Sequence, residues 1–155
     1  MALRRVDTAN YRQPSRHLSG ATHRSRQLPA SPVKSLPDLL RHGLDLVFVG
    51  INPGLQSARV GHYFATPTNR FWPAANAAEV FDPLLDADRD REALDQGIGF
   101  TDIVKRPSAQ ASALGAAEFR EGAIALKSRL LEAGPSLVCF NGMTAYLNYL
   151  KYAEG

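Results

Sequence analysis

The sequence predicts an α/β domain with the architecture of a three-layer sandwich, in which helices cover both faces of a parallel sheet. Three short runs of apolar residues have the pattern of buried strands, and each run is followed by a segment with helical character. The composition agrees, since 45% of the 155 residues are apolar and 21% are charged, as in an ordinary globular domain. The alternation of strand and helix therefore predicts parallel strands joined by helical crossovers.

The first half of the predicted domain contains one strand and two helical segments. The strand is expected over residues 44–50, where β-branched and aromatic residues form a continuous run, and Pro53-Gly54 turns the chain after it. A helix is expected to begin near Trp72, because Pro73 is tolerated only in the first turn of a helix. Residues 82–96 form a second, polar helical candidate.

The second half continues with two strands and two helices. Strands are expected over residues 98–104 and 136–140, the latter as a third buried strand, and residues 143–153 form a closing helical segment. A helix that ends at Gly134-Pro135 is predicted by apolar residues at spacings of four, three and four: Phe119, Ala123, Leu126 and Leu130. Parallel sheets bind ligands at the carboxyl ends of their strands, so the three loops that follow the strands are the candidate site.

A basic leader precedes the predicted domain. Residues 1–37 contain seven basic residues and one acidic residue, a net charge of +6, whereas the eleven basic and fourteen acidic residues that follow give −3. The leader is rich in Arg, Ser, Pro and Gln and has no apolar periodicity, so we expect residues 1–34 to be disordered and residues 35–155 to form the domain. Its charge favours contact with a polyanion such as a nucleic acid.

The sequence also excludes several classes of protein. No apolar run approaches the length of a membrane span, and the N-terminus has no apolar core of the signal-peptide kind, which predicts a cytoplasmic protein that does not bind a membrane. Cys139 is the only cysteine, which excludes an internal disulfide, a four-thiolate zinc site and a cysteine-ligated iron–sulfur cluster. The four histidines lack metal-ligand spacing, so we expect no metal and no cofactor.

Several ordered motifs in the three loops resemble one known family. The motifs are GINPG at 50–54, GHYFA at 61–65, NRFW at 69–72, GFTDIVKRP at 99–107 and CFNG at 139–142. Together they resemble the mismatch-specific uracil/thymine DNA glycosylases of the uracil-DNA glycosylase superfamily, over about residues 44–152. The resemblance implies a DNA repair enzyme that flips uracil, thymine or a modified pyrimidine out of a mispair with guanine. Such an enzyme would cleave the N-glycosidic bond and leave an abasic site, and the resemblance implies that it acts on nucleoid DNA in a bacterial cytoplasm.

Two residues are candidates for catalysis. In the family pattern the Asn of the first motif positions the attacking water, and Asn52 occupies that place; its amide can orient water but cannot accept a proton at neutral pH. Asp102 follows the second strand and could orient water, act as a weak base or stabilise positive charge on the sugar. A turn cap or an ion pair with Lys105 or Arg106 is the alternative role for Asp102.

The resemblance also assigns residues that contact the base and the DNA. Phe64 falls where the family stacks an aromatic ring on the flipped base, although a place in the core is the commoner fate of a phenylalanine. The remaining base-binding candidates are Ile51, through its backbone N–H, with Tyr63 and Ser57. Lys105, Arg106 and His62 are predicted to contact DNA, with a solvated surface loop as the alternative.

The chain departs from the family pattern at its end. Family members continue into another strand and a loop that penetrates the DNA stack, and no such motif follows Tyr152. We therefore expect the domain to be C-terminally incomplete and duplex activity to be impaired. Two alternatives to a monomeric glycosylase are a non-catalytic DNA-binding remnant of such an enzyme and an α/β protein that binds free nucleobases or nucleotides.

Overall fold

A parallel sheet of three strands lies at the centre of the computed structural model, which describes residues 34–155. Strand β1 (Leu46–Gly50) is in the middle, between β2 (Ile98–Asp102) and β3 (Leu137–Phe140). Gly50, at the carboxyl end of β1, is paired with Asp102, at the carboxyl end of β2. Val49 of β1 is likewise paired with Phe140, the last residue of β3, so all three strands end at one edge of the sheet, as predicted. The leader predicted over residues 1–34 lies outside the described residues, except for its last residue.

Helices flank the sheet. The α-helices within residues 34–155 are α1 (Leu55–Val60), α2 (Phe71–Ala77), α3 (Ala116–Ala133) and α4 (Met143–Tyr149). Two 3₁₀ helices cover Ala87–Gln96 and Ala111–Ala113, and a π-helical turn covers Leu150–Glu154. In the part of the chain that the structure describes, no helix is long and apolar enough to cross a membrane.

Each face of the sheet has its own apolar core. Phe48 of β1 packs into a largely aromatic cluster on one face: Tyr63, Trp72, Phe81 and Phe100. Val47 and Val49 point to the opposite face, where they pack with residues of α3 and α4: Phe119, Ala123, Leu126, Leu130 and Ala145. Side chains alternate across a strand, so β1 contributes to both cores. The predicted α/β fold class, with helices on both faces of a parallel sheet, is confirmed.

Helix α3 matches its prediction closely. The four residues of the predicted apolar face are all buried. At the start, the backbone N–H of Gly115 donates to the carboxylate of Glu118 at 2.9 Å. At the end, Gly134 adopts a left-handed conformation with φ of 55°, which a residue without a Cβ reaches at no steric cost.

Three elements differ from their predictions for local reasons. Helix α1 lies in a stretch that the sequence predicted as loop. It was missed because its six residues are too few to show a helical apolar period. The segment predicted as helical over 82–96 forms a 3₁₀ helix from Ala87 onward, and a kink at Arg89 interrupts it. Strand β2 ends at Asp102 rather than at 104, although Ile103 and Val104 still donate backbone hydrogen bonds to the loop after β1.

Strand β3 is less buried than predicted. Leu137 is 61% exposed, and the other residues of β3 are only partly buried. Among residues 34–155, β3 pairs with β1 alone and is an edge strand. The adjoining helix α4 exposes Met143 and Leu147 beside it. An apolar run shows that a strand has high β-propensity, but it does not tell whether a second neighbour is present.

Candidate active site

A cavity of about 230 Å³ opens at the carboxyl ends of the strands. It is formed by the loop after β1, the loop after α1 and the ends of β2 and β3. Six residues that the sequence assigned to catalysis or base binding line it together: Ile51, Asn52, Ser57, Tyr63, Phe64 and Asp102. The described residues therefore bring these candidates into one concave site, which His62, Lys105 and Arg106 do not line.

The Asn52 side chain is held in one orientation by two partners from the loop after β2. Its Nδ2 donates to the backbone carbonyl of Arg106 at 2.9 Å and to Oγ of Ser108 at 2.8 Å. A carbonyl oxygen only accepts, so the amide nitrogen must face Arg106 and Oδ1 is left for another partner. The Ser108 hydroxyl donates onward to the carbonyl of Gln110 at 2.8 Å, which leaves its oxygen free to accept from Asn52.

Phe64 presents an aromatic ring to the cavity from a strained backbone. Its φ is 55°, a left-handed conformation that is rare for a bulky residue and costs on the order of 1–3 kcal/mol. The ring of Phe64 stacks on that of Phe71, with centroids 4.1 Å apart and planes at 25°. The buried Ser57 hydroxyl accepts a hydrogen bond from the backbone N–H of Ala65 at 3.0 Å and so stabilises this turn. Ser57 therefore supports the loop that carries Phe64.

Tyr63 and His62 are both tied to a buried carboxylate behind the cavity. Asp90 is 1% exposed and accepts from the backbone N–H of Tyr63 at 2.7 Å. Its second oxygen lies 2.9 Å from Nδ1 of His62. The Tyr63 hydroxyl donates to the carbonyl of Pro37 at 3.2 Å, and burial raises the pKa of Tyr63 above its usual range. The Tyr63 ring is thus a fixed wall of the site.

Asp102 is a buried acid at the centre of the site. A Cβ added to Gly50 would collide with Oδ1 of Asp102, so the glycine leaves the space that this carboxyl group occupies over β1. Oδ2 of Asp102 is buried and has no hydrogen-bond partner among residues 34–155. Burial raises the pKa of Asp102 to about 7, and the nearby cations Lys105 and Arg129 oppose this shift. Near neutral pH both the protonated and the ionised form of Asp102 are therefore populated.

Each of the three residues predicted to contact DNA is bound to a carboxylate of this chain: Lys105 and Arg106 by ion pairs and His62 by a hydrogen bond. Nζ of Lys105 lies 2.8 Å from Oδ1 of Asp38. The Arg106 guanidinium binds Glu118 at 2.6 Å and, by this hydrogen bond, lowers the pKa of Glu118 to about 2. His62 is paired with Asp90, as described above. Contact of these residues with phosphates stays a prediction.

A second, more apolar compartment of about 550 Å³ adjoins the cavity. Both spaces are lined by Phe64, Asn69 and Asn141. Oδ1 of Asn69 accepts from the backbone N–H of Phe71 at 2.8 Å, whereas Nδ2 of Asn141 is buried with no partner among the described residues. Neither asparagine was predicted to be functional, although both lie within motifs, NRFW and CFNG, that marked the site.

The arrangement can hold an uncharged planar ring, orient a water and place a carboxylate beside it. Within the described residues, no group of three or more His, Cys, Asp or Glu side chains could hold a metal ion. The groups that this cavity offers include the amide oxygen of Asn52, the aromatic face of Phe64 and the carboxyl group of Asp102, whose pKa is raised to about 7.

One comparison with known families matches most of the chain. A family model described as the uracil DNA glycosylase superfamily matches residues 37–154. The match includes all three strands and every residue that lines the cavity except Leu36. A match to this superfamily supports the conclusion that the chain is a hydrolase with DNA glycosylase activity on uracil. On this match, which spans more than half of its length, the chain belongs to the uracil DNA glycosylase superfamily.

Proposed function

We propose that this chain excises uracil from mispairs with guanine in duplex DNA and leaves an abasic site. Thymine and modified pyrimidines in the same mispairs are the further substrates to be compared. The observation that carries the proposal is that Asn52, Phe64 and Asp102 line one cavity at the carboxyl ends of the strands. We further propose that the protein acts as a monomer in the cytoplasm, on nucleoid DNA.

The flipped base would stack on Phe64. One face of this ring is covered by Phe71, so the base would occupy the side of Phe64 that lines the cavity. The backbone N–H groups of Ile51 and Phe64 are the proposed donors to the carbonyl edge of the base, and neither donates to another backbone group among residues 34–155. They would also stabilise the negative charge that develops on the departing base.

The hydrolytic water would be held by Asn52. The Nδ2 group is occupied by Arg106 and Ser108, so Oδ1 is the atom proposed to accept from the water. Asp102 in its ionised form would accept a proton from this water or stabilise the positive charge that develops on the deoxyribose. In this scheme the base leaves without a covalent enzyme intermediate, and the reaction requires placement more than strong base catalysis.

The test of this proposal is an excision assay with the whole chain. A labelled duplex with one G·U pair is incubated with excess protein, and alkali then cleaves the abasic product. Matched duplexes with A·U, G·T and G·C pairs, and the uracil strand alone, measure selectivity. Preference for G·U supports the proposal, whereas tight duplex binding with no abasic product would indicate a DNA-binding remnant. Binding of free uracil, with neither duplex binding nor abasic product, would indicate a nucleobase-binding protein.

Phe64 provides a separate prediction about base recognition. Replacing Phe64 by alanine should lower kcat/KM for G·U excision by about 5- to 150-fold, because the stacking of a base on an aromatic side chain contributes about 1–3 kcal/mol. The control is Phe64→Tyr, which keeps the ring and should remain within a few fold of the parent. Equal activity of Phe64→Ala and Phe64→Tyr would show that the ring belongs to the core only.

A further inference from the structure

A charged cluster lies directly behind Asp102 and is centred on Asp38. Oδ1 of Asp38 accepts from Oγ1 of Thr101 at 2.5 Å and from Nζ of Lys105 at 2.8 Å. Oδ2 of Asp38 accepts from the Arg129 guanidinium at 3.3 Å. Thr101 precedes Asp102 in β2, so the carboxylate of Asp38 gathers two cations beside the strand that carries the buried acid.

The backbone fixes the position of Asp38. Its neighbour Leu39 exchanges two hydrogen bonds of 2.9 Å with Phe100, one in each direction, and so pairs the segment before β1 with β2. Leu36 and Leu39 on either side of Asp38 are buried in the aromatic core. The backbone on both sides of Asp38 is therefore held in place. The Asp38 carboxylate cannot move away from Lys105 and Arg129 without breaking these contacts.

Arg129 connects this cluster to Asp102 itself. Its guanidinium donates to the backbone carbonyl of Asp102 at 2.9 Å while it also binds Asp38. Nε of Arg129 is buried and has no partner among the described residues. Arg129 therefore places a positive charge at the end of β2, bound to Asp38 on one side and to the Asp102 backbone on the other.

We propose that Asp38 is a positioning residue for the excision reaction: its carboxylate and the two cations that it binds, Lys105 and Arg129, together set the charge state of Asp102. This inference rests on the proposed function, in which ionised Asp102 assists the attacking water. The electrostatic balance agrees with the geometry, because Lys105 and Arg129 lower the pKa of Asp102 and Asp38 raises it, all against the larger effect of burial.

The charged and titratable groups around Asp102 come from four parts of the fold. The segment before β1 contributes Asp38, the loop after β2 contributes Lys105, and α3 contributes Arg129. The loop after α1 contributes Tyr63, whose phenol is held neutral by burial. The end of β1 and the end of β3 place uncharged residues at the cavity, including Asn52 and Asn141. A change of charge at Asp38 or Lys105 should therefore shift the pKa of Asp102 directly, because the strand ends at the cavity contribute no other charged group.

Two substitutions of opposite sign test the proposal. Asp38→Asn removes a negative charge but keeps Oδ1 as an acceptor for Lys105, and Arg129 still donates to the Asp102 carbonyl. With both cations in place, the pKa of Asp102 should fall by roughly one unit. Lys105→Gln removes a positive charge, so the pKa of Asp102 should rise by a similar amount. Asp88→Asn, an exposed acid of the 3₁₀ helix over Ala87–Gln96, is the charge-matched control and should leave both measurements unchanged.

Two measurements on the whole chain separate this inference from the proposed function. The first is ¹³C NMR of the aspartate carboxyl groups as a function of pH, with the Asp102 signal assigned by its loss in Asp102→Asn. The second is single-turnover excision of uracil from pH 5 to pH 9. Opposite shifts of the Asp102 midpoint in both measurements, by roughly one unit each, support the proposal.

The outcomes against the proposal are equally defined. Opposite NMR shifts in a protein that excises nothing would keep the control of Asp102 by Asp38 and contradict the proposed function. Excision by the parent chain with no NMR shift in either variant would overturn the role of Asp38. Lys105→Gln covers the case in which Asp38→Asn does not fold. If Lys105→Gln only weakens duplex binding and reduces its salt dependence, Lys105 is a phosphate contact instead.

Discussion

Asn52→Ala is expected to slow single-turnover excision of uracil by roughly 10²-fold or more, while duplex binding stays within a few fold. Oδ1 of Asn52 is the atom proposed to orient the water, and alanine removes it without placing a new group in the cavity. The loss should therefore appear in the chemical step, measured with protein in excess over a G·U duplex. Unchanged single-turnover excision would remove Asn52 from the mechanism.

Ser108→Ala is the matched control for Asn52. It removes one of the acceptors that hold Nδ2 of Asn52, but the carbonyl of Arg106 at 2.9 Å keeps the amide oriented. We expect a loss of roughly 10-fold or less, because one hydrogen bond contributes about 0.5–1.5 kcal/mol. A loss as large as that of Asn52→Ala would mean that Ser108 itself takes part in the reaction.

The parts of the fold with strong local patterns could be predicted from the sequence. Strand β1 is a continuous apolar run, and α3 has an apolar period of four, three and four residues, so both follow from rules that involve near neighbours only. The exposure of β3 could not be read in the same way. It depends on whether another strand lies on the outer side of β3. The residues of β3 themselves do not reveal this, because strand order is a property of the whole sheet.

The site shows the same division between local and distant information. Asn52 and Asp102 were predicted together because parallel strands end at one edge, and the Gly50 to Asp102 pairing places them at the same cavity. The contacts of Asp38 were not predicted, because it lies 67 residues from Lys105 and 91 residues from Arg129 in the chain. No spacing rule connects such residues. The partners of Lys105 and Arg106 were missed for the same reason.

Asp102→Asn should change activity and stability in opposite directions. A buried acid with its pKa raised from 3.8 to about 7 is favoured as the neutral form in the folded protein. The unfolded chain releases this proton near pH 4, so the free energy of unfolding falls as pH rises from about 4 to 7, by up to about 4 kcal/mol. The asparagine side chain of the variant cannot ionise, so the variant should escape this loss.

The variant should accordingly be more stable than the parent at pH 8 and similar to it at pH 4, as measured by denaturant unfolding at both pH values. Its excision rate should be lower at pH 8 by roughly 10²-fold, because the carboxylate that would assist the water is absent. The rise of the parent's excision rate through about pH 7 should disappear with it. A variant that loses stability at pH 8, or keeps the parent's pH profile, would show that Asp102 is an ordinary buried structural acid. If Asp102→Asn is more stable than the parent at pH 8 but less active, the carboxyl group of Asp102 lowers the stability of the fold and is needed for the reaction.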